Sequence, residues 1–115
     1  MGLQQQFATV LGAVLLLVGV IGFFTPTVLL FDVNTTHNIV HVVSGILGLL
    51  AGLTVGGSYA KAFNIVFGIV YGLVALLGLL SVTAVVDLLV LNAADNFLHL
   101  VIAVACLGVG FGAHE

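Results

Sequence analysis

Phe7 to Phe24 reads FATVLGAVLLLVGVIGFF, a run with no charged side chain and a single polar one, Thr9. A hydrocarbon core takes about 20 such residues as a helix, at a rise of roughly 1.5 Å each. Three further windows meet the same test: Asn38 to Val55, Ala62 to Leu80 and Asn96 to Phe111. Lipid offers backbone groups no hydrogen-bond partner, so each window is expected to be a helix. The predicted fold is all-α, a bundle of four transmembrane helices forming one integral membrane domain over residues 1–115.

Composition agrees. Of the 115 residues 63% are hydrophobic and 4% charged, against about 25% charged in soluble domains. One Lys and four acidic residues cannot clothe a soluble core, so the lipid bilayer is the expected partner. The charges are too few and too scattered for a nucleic-acid surface, and nucleic acid is excluded as a partner. The first run lacks a basic flank and an A-x-A-like site, and is read as a retained span. Gln6 stands where a myristoylation signal needs Ser or Thr.

The breaks are Thr25-Pro26-Thr27, Gly56-Gly57-Ser58 and Asn92-Ala93-Ala94-Asp95. After Leu80 the helix either continues or lies along the interface, and Asp87 favours the interface because a mid-bilayer carboxylate costs about 2.5 to 3.5 kcal/mol. Lys61, the one basic side chain, falls in the turn between spans two and three. Cytoplasmic loops are rich in Lys and Arg, so that turn and both termini are expected on the cytoplasmic side of the cell membrane. Tyr59 beside it is expected as an interfacial anchor, and His114 as a solvated tail residue.

The chain also repeats itself. Leu30 to Val42 reads LFDVNTTHNIVHV, and Leu88 to Leu100 reads LLVLNAADNFLHL. Asn34, Asn38 and His41 align with Asn92, Asn96 and His99, and Leu11-Gly12 upstream resembles Phe67-Gly68. The expectation is two helix-pair repeats of parallel polarity, whose N-x-x-x-N-x-x-H signatures meet at one membrane face.

The segments FDVNTTHNIVHVVSGILGLLAG and LNAADNFLHLVIAV resemble domain-of-unknown-function family 4383, small four-helix membrane proteins of bacteria and archaea. Asn38, His41, Gly45, Asn96 and His99 carry the resemblance, which spans most of the chain. It implies four membrane helices and no established activity.

Two readings of the signature stay open. In the structural one, Asn38 and Asn96 are N-caps with His41 and His99 in the capping-box position, or the caps fall at Thr35 or Thr36 and at Asp95. Asn34, Asn38, Asn92 and Asn96 then form a polar network between helices. In the functional one, a helix starting before His37 puts His37 and His41 on one face, as Asp95 and His99 share another. His37, His41, Asp95 and His99 would converge on a transition metal, or His41 and His99 would hold a haem or pigment as cofactor. Tyr71, near the middle of span three, needs an internal partner, with Ser44 or Thr54 as candidates.

Gly48, Gly52, Gly56, Gly68, Gly72, Gly108 and Gly112 recur at four-residue spacing, the pattern that lets membrane helices approach closely. Lone Cys106 is read as a packing residue. No nucleophile with a base, phosphate loop or helical H-E-x-x-H occurs, so no enzyme is expected. The expected role is that of an accessory subunit of a larger membrane assembly, or a homo-oligomer, contacting other membrane subunits or itself through glycine-rich helix faces. A His-ligated cofactor protein is the alternative.

Overall fold

The computed structural model describes residues 2–113, which leaves His114 outside the described residues. Four long helices dominate: α1 (Leu3–Gly22), α2 (Thr35–Leu53), α3 (Ala60–Leu79) and α5 (Ala93–Gly112). Three have 20 residues and α2 has 19, so each spans about 30 Å, the thickness of a hydrocarbon core. The bundle of four membrane-spanning helices expected from the hydropathy is the fold.

The helices begin two to four residues before the expected windows. Hydropathy marks where the apolar run starts, whereas a helix starts at its cap. The caps of α2 and α5 are Asn34 and Asn92, neither of them an expected one. Asn38 and Asn96 therefore lie a full turn inside.

The connectors are compact. Between α1 and α2 lies a minimal antiparallel hairpin, β1 (Thr27–Val28) and β2 (Phe31–Asp32), with Leu29 in the left-handed region at φ 55°. A single 3-10 turn, Val55–Gly57, joins α2 to α3. Between α3 and α5, Ser81 at φ 56° breaks the chain before a separate short helix, α4 (Thr83–Leu89), on which Asp87 is exposed. The carboxylate thus sits off the spanning helices.

α1 packs along α2, and α3 along α5, more closely than any other pair. Gly12 and Gly45 explain the first contact: a Cβ on Gly12 would come within 2.6 Å of Leu49 N and 2.8 Å of Gly45 O. Only bare backbones can cross that closely, where dispersion replaces the missing hydrophobic drive. Gly48 and Gly52 serve the same seam, and Gly68 receives the Leu107 side chain of α5. Gly56 does not belong to this set: it lies in the 3-10 turn at φ 62°, with nothing near its missing side chain. Gly108 and Gly112 face open space.

The interior mixes small residues with a few large ones such as Leu15, Phe63 and Tyr71. Ala8, Ala51, Ala75, Ala103 and Cys106 are buried, while Leu17, Val14 and Phe97 point outward to lipid. At the Lys61 end, Gln4 Nε2 donates to Val109 O at 2.8 Å and Gly110 O at 3.0 Å, carbonyls in the last turn of α5. Asn64 Nδ2 donates in turn to Gln4 Oε1 at 2.8 Å. Gln4 and Asn64, which hydropathy does not single out, thereby tie α1, α3 and α5 together.

Candidate metal centre

At the opposite end the N-termini of α2 and α5 meet. Asn34 Oδ1 accepts from His37 N at 2.8 Å, and Asn92 Oδ1 from Asp95 N at 2.8 Å, so each asparagine caps its own helix. Asp95 Oδ2 accepts from Asn92 N at 3.0 Å and completes a capping box. The same two amides also reach across the bundle. Asn34 Nδ2 donates to Leu88 O at 2.9 Å, and Asn92 Nδ2 to Leu30 O at 3.0 Å. Each helix pair therefore holds down the connector of the other.

Asn38 and Asn96 have a different task. Their Oδ1 atoms are buried without a conventional donor. Asn38 Oδ1 lies where the side chain of Gly22 would begin, and Asn96 Oδ1 where that of Gly78 would begin. An oxygen on that line accepts a weak Cα–H hydrogen bond, open only to a residue without Cβ. Both asparagines thus stand against neighbouring helices, at glycines that sequence spacing did not mark.

Inside these caps sit three imidazoles. His37, His41 and His99 are 1%, 4% and 2% exposed. Their ring centroids are 4.4 Å (His37 to His41), 5.6 Å (His37 to His99) and 6.2 Å (His41 to His99) apart. One nitrogen from each ring lies within 4.8 Å of the other two. His37 and His41 share a helix face at one-turn spacing, and α5 brings His99 from the other pair.

His37 Nδ1 lies 2.9 Å from Leu89 O. A carbonyl only accepts, so Nδ1 carries the hydrogen and the Nε2 lone pair is free. His37 Nε2, His41 Nδ1 and His99 Nδ1 are all buried without a partner. The trio has as many unpartnered ring nitrogens as rings.

The structure does not gather the fourth expected ligand. Asp95 is buried, but its carboxylate turns back to its own helix end, and among the described residues the convergent set is the three histidines alone. His41 and His99 also lie beyond the capping-box position, which Asp95 occupies in α5. Tyr71 is 3% exposed, with its ring 5.4 Å from that of His99. Ser44 lies beside its hydroxyl without closing a hydrogen bond. Cys106 is fully buried and free, as its packing role requires.

The model of a family described as a domain of unknown function, DUF4383, matches residues 5–112. The chain belongs to that family. No curated protein and no solved structure matches it. Membership of DUF4383 carries no activity, so the chemistry has to be argued from the centre itself.

Proposed function

We propose that this protein is a membrane-embedded metal-binding protein, not an enzyme, that holds one transition-metal ion between His37, His41 and His99. The observation carrying this reading is the convergence of three buried imidazoles with unpartnered nitrogens. A buried polar atom without a partner costs about 1 to 3 kcal/mol, and a metal ion would satisfy three at once. Nitrogens around a tetrahedral zinc stand roughly 3.3 Å apart, so the rings need only a modest inward turn. Imidazole suits zinc, copper, iron and nickel rather than magnesium or calcium. The Leu89 carbonyl supplies the usual outer partner that orients a ligating ring.

A bare ion fits better than a haem or pigment. The His37 ring, 4.4 Å from His41 and 5.6 Å from His99, occupies space that a macrocycle between the latter two would need. Metal analysis of protein purified without a His tag, beside a His37→Ala/His41→Ala/His99→Ala variant, tests the reading. About one ion per chain in the wild type and none in the variant supports it; equal content in both sinks it.

A second reading, a homo-oligomer or a small accessory subunit of a larger membrane assembly, is supported by Gly108 and Gly112. They form a flat stripe at four-residue spacing on α5 that none of the described residues covers. In-membrane crosslinking tests it: Gly108→Leu should reduce any crosslinked species, and monomer alone in the wild type removes the reading.

We also read the two helix pairs as copies of one unit. The reciprocal Asn34 and Asn92 bonds and the matching contacts of Asn38 with Gly22 and Asn96 with Gly78 support this. Lys61 supports a cytoplasmic turn at the far end, with the histidines toward the external leaflet. Labelling of a Lys61→Cys variant from outside intact cells would reverse that orientation.

A further inference from the structure

Three imidazoles leave one position of a tetrahedral ion open. What lies next to that opening decides what can occupy it. On one side the trio is closed by α4, through the bond from His37 Nδ1 to Leu89 O. Going inward along α2, His41 follows one turn below His37, and Ser44 follows three residues below His41. At that level α3 contributes Tyr71, whose ring lies against His99 and packs with Leu15 and Ala103.

Two hydroxyls stand at this layer. Ser44 and Tyr71 are 4% and 3% exposed, and Tyr71 Oη has no hydrogen-bond partner although it is a good donor. A buried phenol whose hydroxyl closes no hydrogen bond, even with Ser44 beside it, is a costly arrangement, since the ring alone would pack as well as phenylalanine. Its ring stands beside a ring that supplies one of the three converging nitrogens. An acceptor bound at the open position would give that hydrogen somewhere to go.

The geometry points to a small exogenous ligand, a water molecule or a monoanion of similar size, at the fourth position of the metal centre, with the Tyr71 hydroxyl donating to it. This rests on the reading that the histidine trio holds a metal. Tyr71 is then a positioning residue: it touches the ligand and not the ion. A hydrogen bond to an anionic acceptor in such surroundings is stronger than one to a neutral group, so monoanions are favoured over neutral molecules of the same shape.

The test uses the whole chain in detergent micelles, loaded with Co(II) as a visible probe and titrated with azide. In the wild type the Co(II) ligand-field bands should shift saturably. Tyr71→Phe should still take up Co(II), because the three imidazoles are untouched, but should bind azide roughly ten- to a hundredfold more weakly. Azide affinity within twofold of wild type in Tyr71→Phe overturns the proposal. So does a loss confined to Ser44→Ala, which would make Ser44 the donor. Wild type that binds Co(II) but shows no azide response overturns it and leaves the metal reading standing; wild type that binds no Co(II) overturns both. Should Tyr71→Phe fail to fold, the antisymmetric stretch of azide bound to the wild type gives an independent readout. A shift on transfer to D2O is expected for a ligand hydrogen-bonded to an exchangeable proton, and no shift overturns the proposal.

Discussion

His37 Nδ1 and the carbonyl oxygen of Leu89 stand 2.9 Å apart, joining residues separated by 52 positions in the chain. The bond fixes the tautomer of one ring of the trio and at the same time anchors the last turn of α4. Helix C-termini leave carbonyls unpaired, and here Asn34 takes Leu88 O while His37 takes Leu89 O. His37 is thus shared between the centre and the connector above it.

Removing His37 should therefore have two effects where removing His41 has one. Either alanine variant should weaken metal binding by more than about a hundredfold, since even outer partners of a ligand are worth 10- to 100-fold. Only His37→Ala should also speed amide exchange in Thr83–Leu89. Hydrogen–deuterium exchange by mass spectrometry on both variants, without metal, separates the two.

Asn92 combines a cap and a cross-bundle donor, and its substitutions should divide the two contributions. Asn92→Ala should cost about 1 to 2 kcal/mol, the larger part from the lost cap and the rest from the exposed bond to the Leu30 carbonyl. Asn92→Asp keeps the cap oxygen and loses the donor, so its cost should be the smaller part alone. Unfolding in mixed detergent micelles with increasing SDS gives both values.

The contact of Gly22 with Asn38 predicts non-additivity. A methyl group on Gly22 would collide with the Asn38 amide, so Gly22→Ala should destabilise by about 1 to 3 kcal/mol. In the double variant Gly22→Ala/Asn38→Ala the collision is gone, and the total should fall below the sum of the single changes by at least about 0.5 kcal/mol. Gly78→Ala with Asn96→Ala should behave alike, the Asn96 amide standing against Gly78 in the same way.

Val90 adopts φ 56° and ψ 49° at the end of α4, a left-handed conformation that a β-branched residue resists. Its side chain is 41% exposed and contributes little packing. Val90→Gly should therefore stabilise the protein by about 1 kcal/mol, read from the same SDS titration; a loss of stability would show that the valine side chain holds the turn.

Much of this was legible in the sequence. Four apolar runs, each long enough for a bilayer, could fold in few other ways, and the paired N-x-x-x-N-x-x-H signatures did lead to the polar end. The helix starts were misread because hydropathy begins at Asn38 and Asn96, although Asn92 three residues before Asp95 has the spacing of a capping box and was available as a signal. That same misreading left the Asp95 carboxylate free for a metal, when its own helix end uses it. Glycine spacing could not distinguish Gly48, packed against α1, from Gly108, facing outward, since a four-residue period fixes a face and not its direction. Gln4 and Asn64 escaped because single polar residues near the ends of an apolar run look solvated until another helix covers them.

The reciprocal bonds of Asn34 and Asn92 bear on the order of assembly during synthesis. α1 and α2 enter the bilayer first, and at that moment the amide of Asn34 has no Leu88 carbonyl to meet, nor has Leu30 its donor. The first hairpin must wait, with its connector unlatched, until α4 and α5 have emerged. Closure is then simultaneous on both sides, so the two halves, made as separate polypeptides, carry what each needs to capture the other.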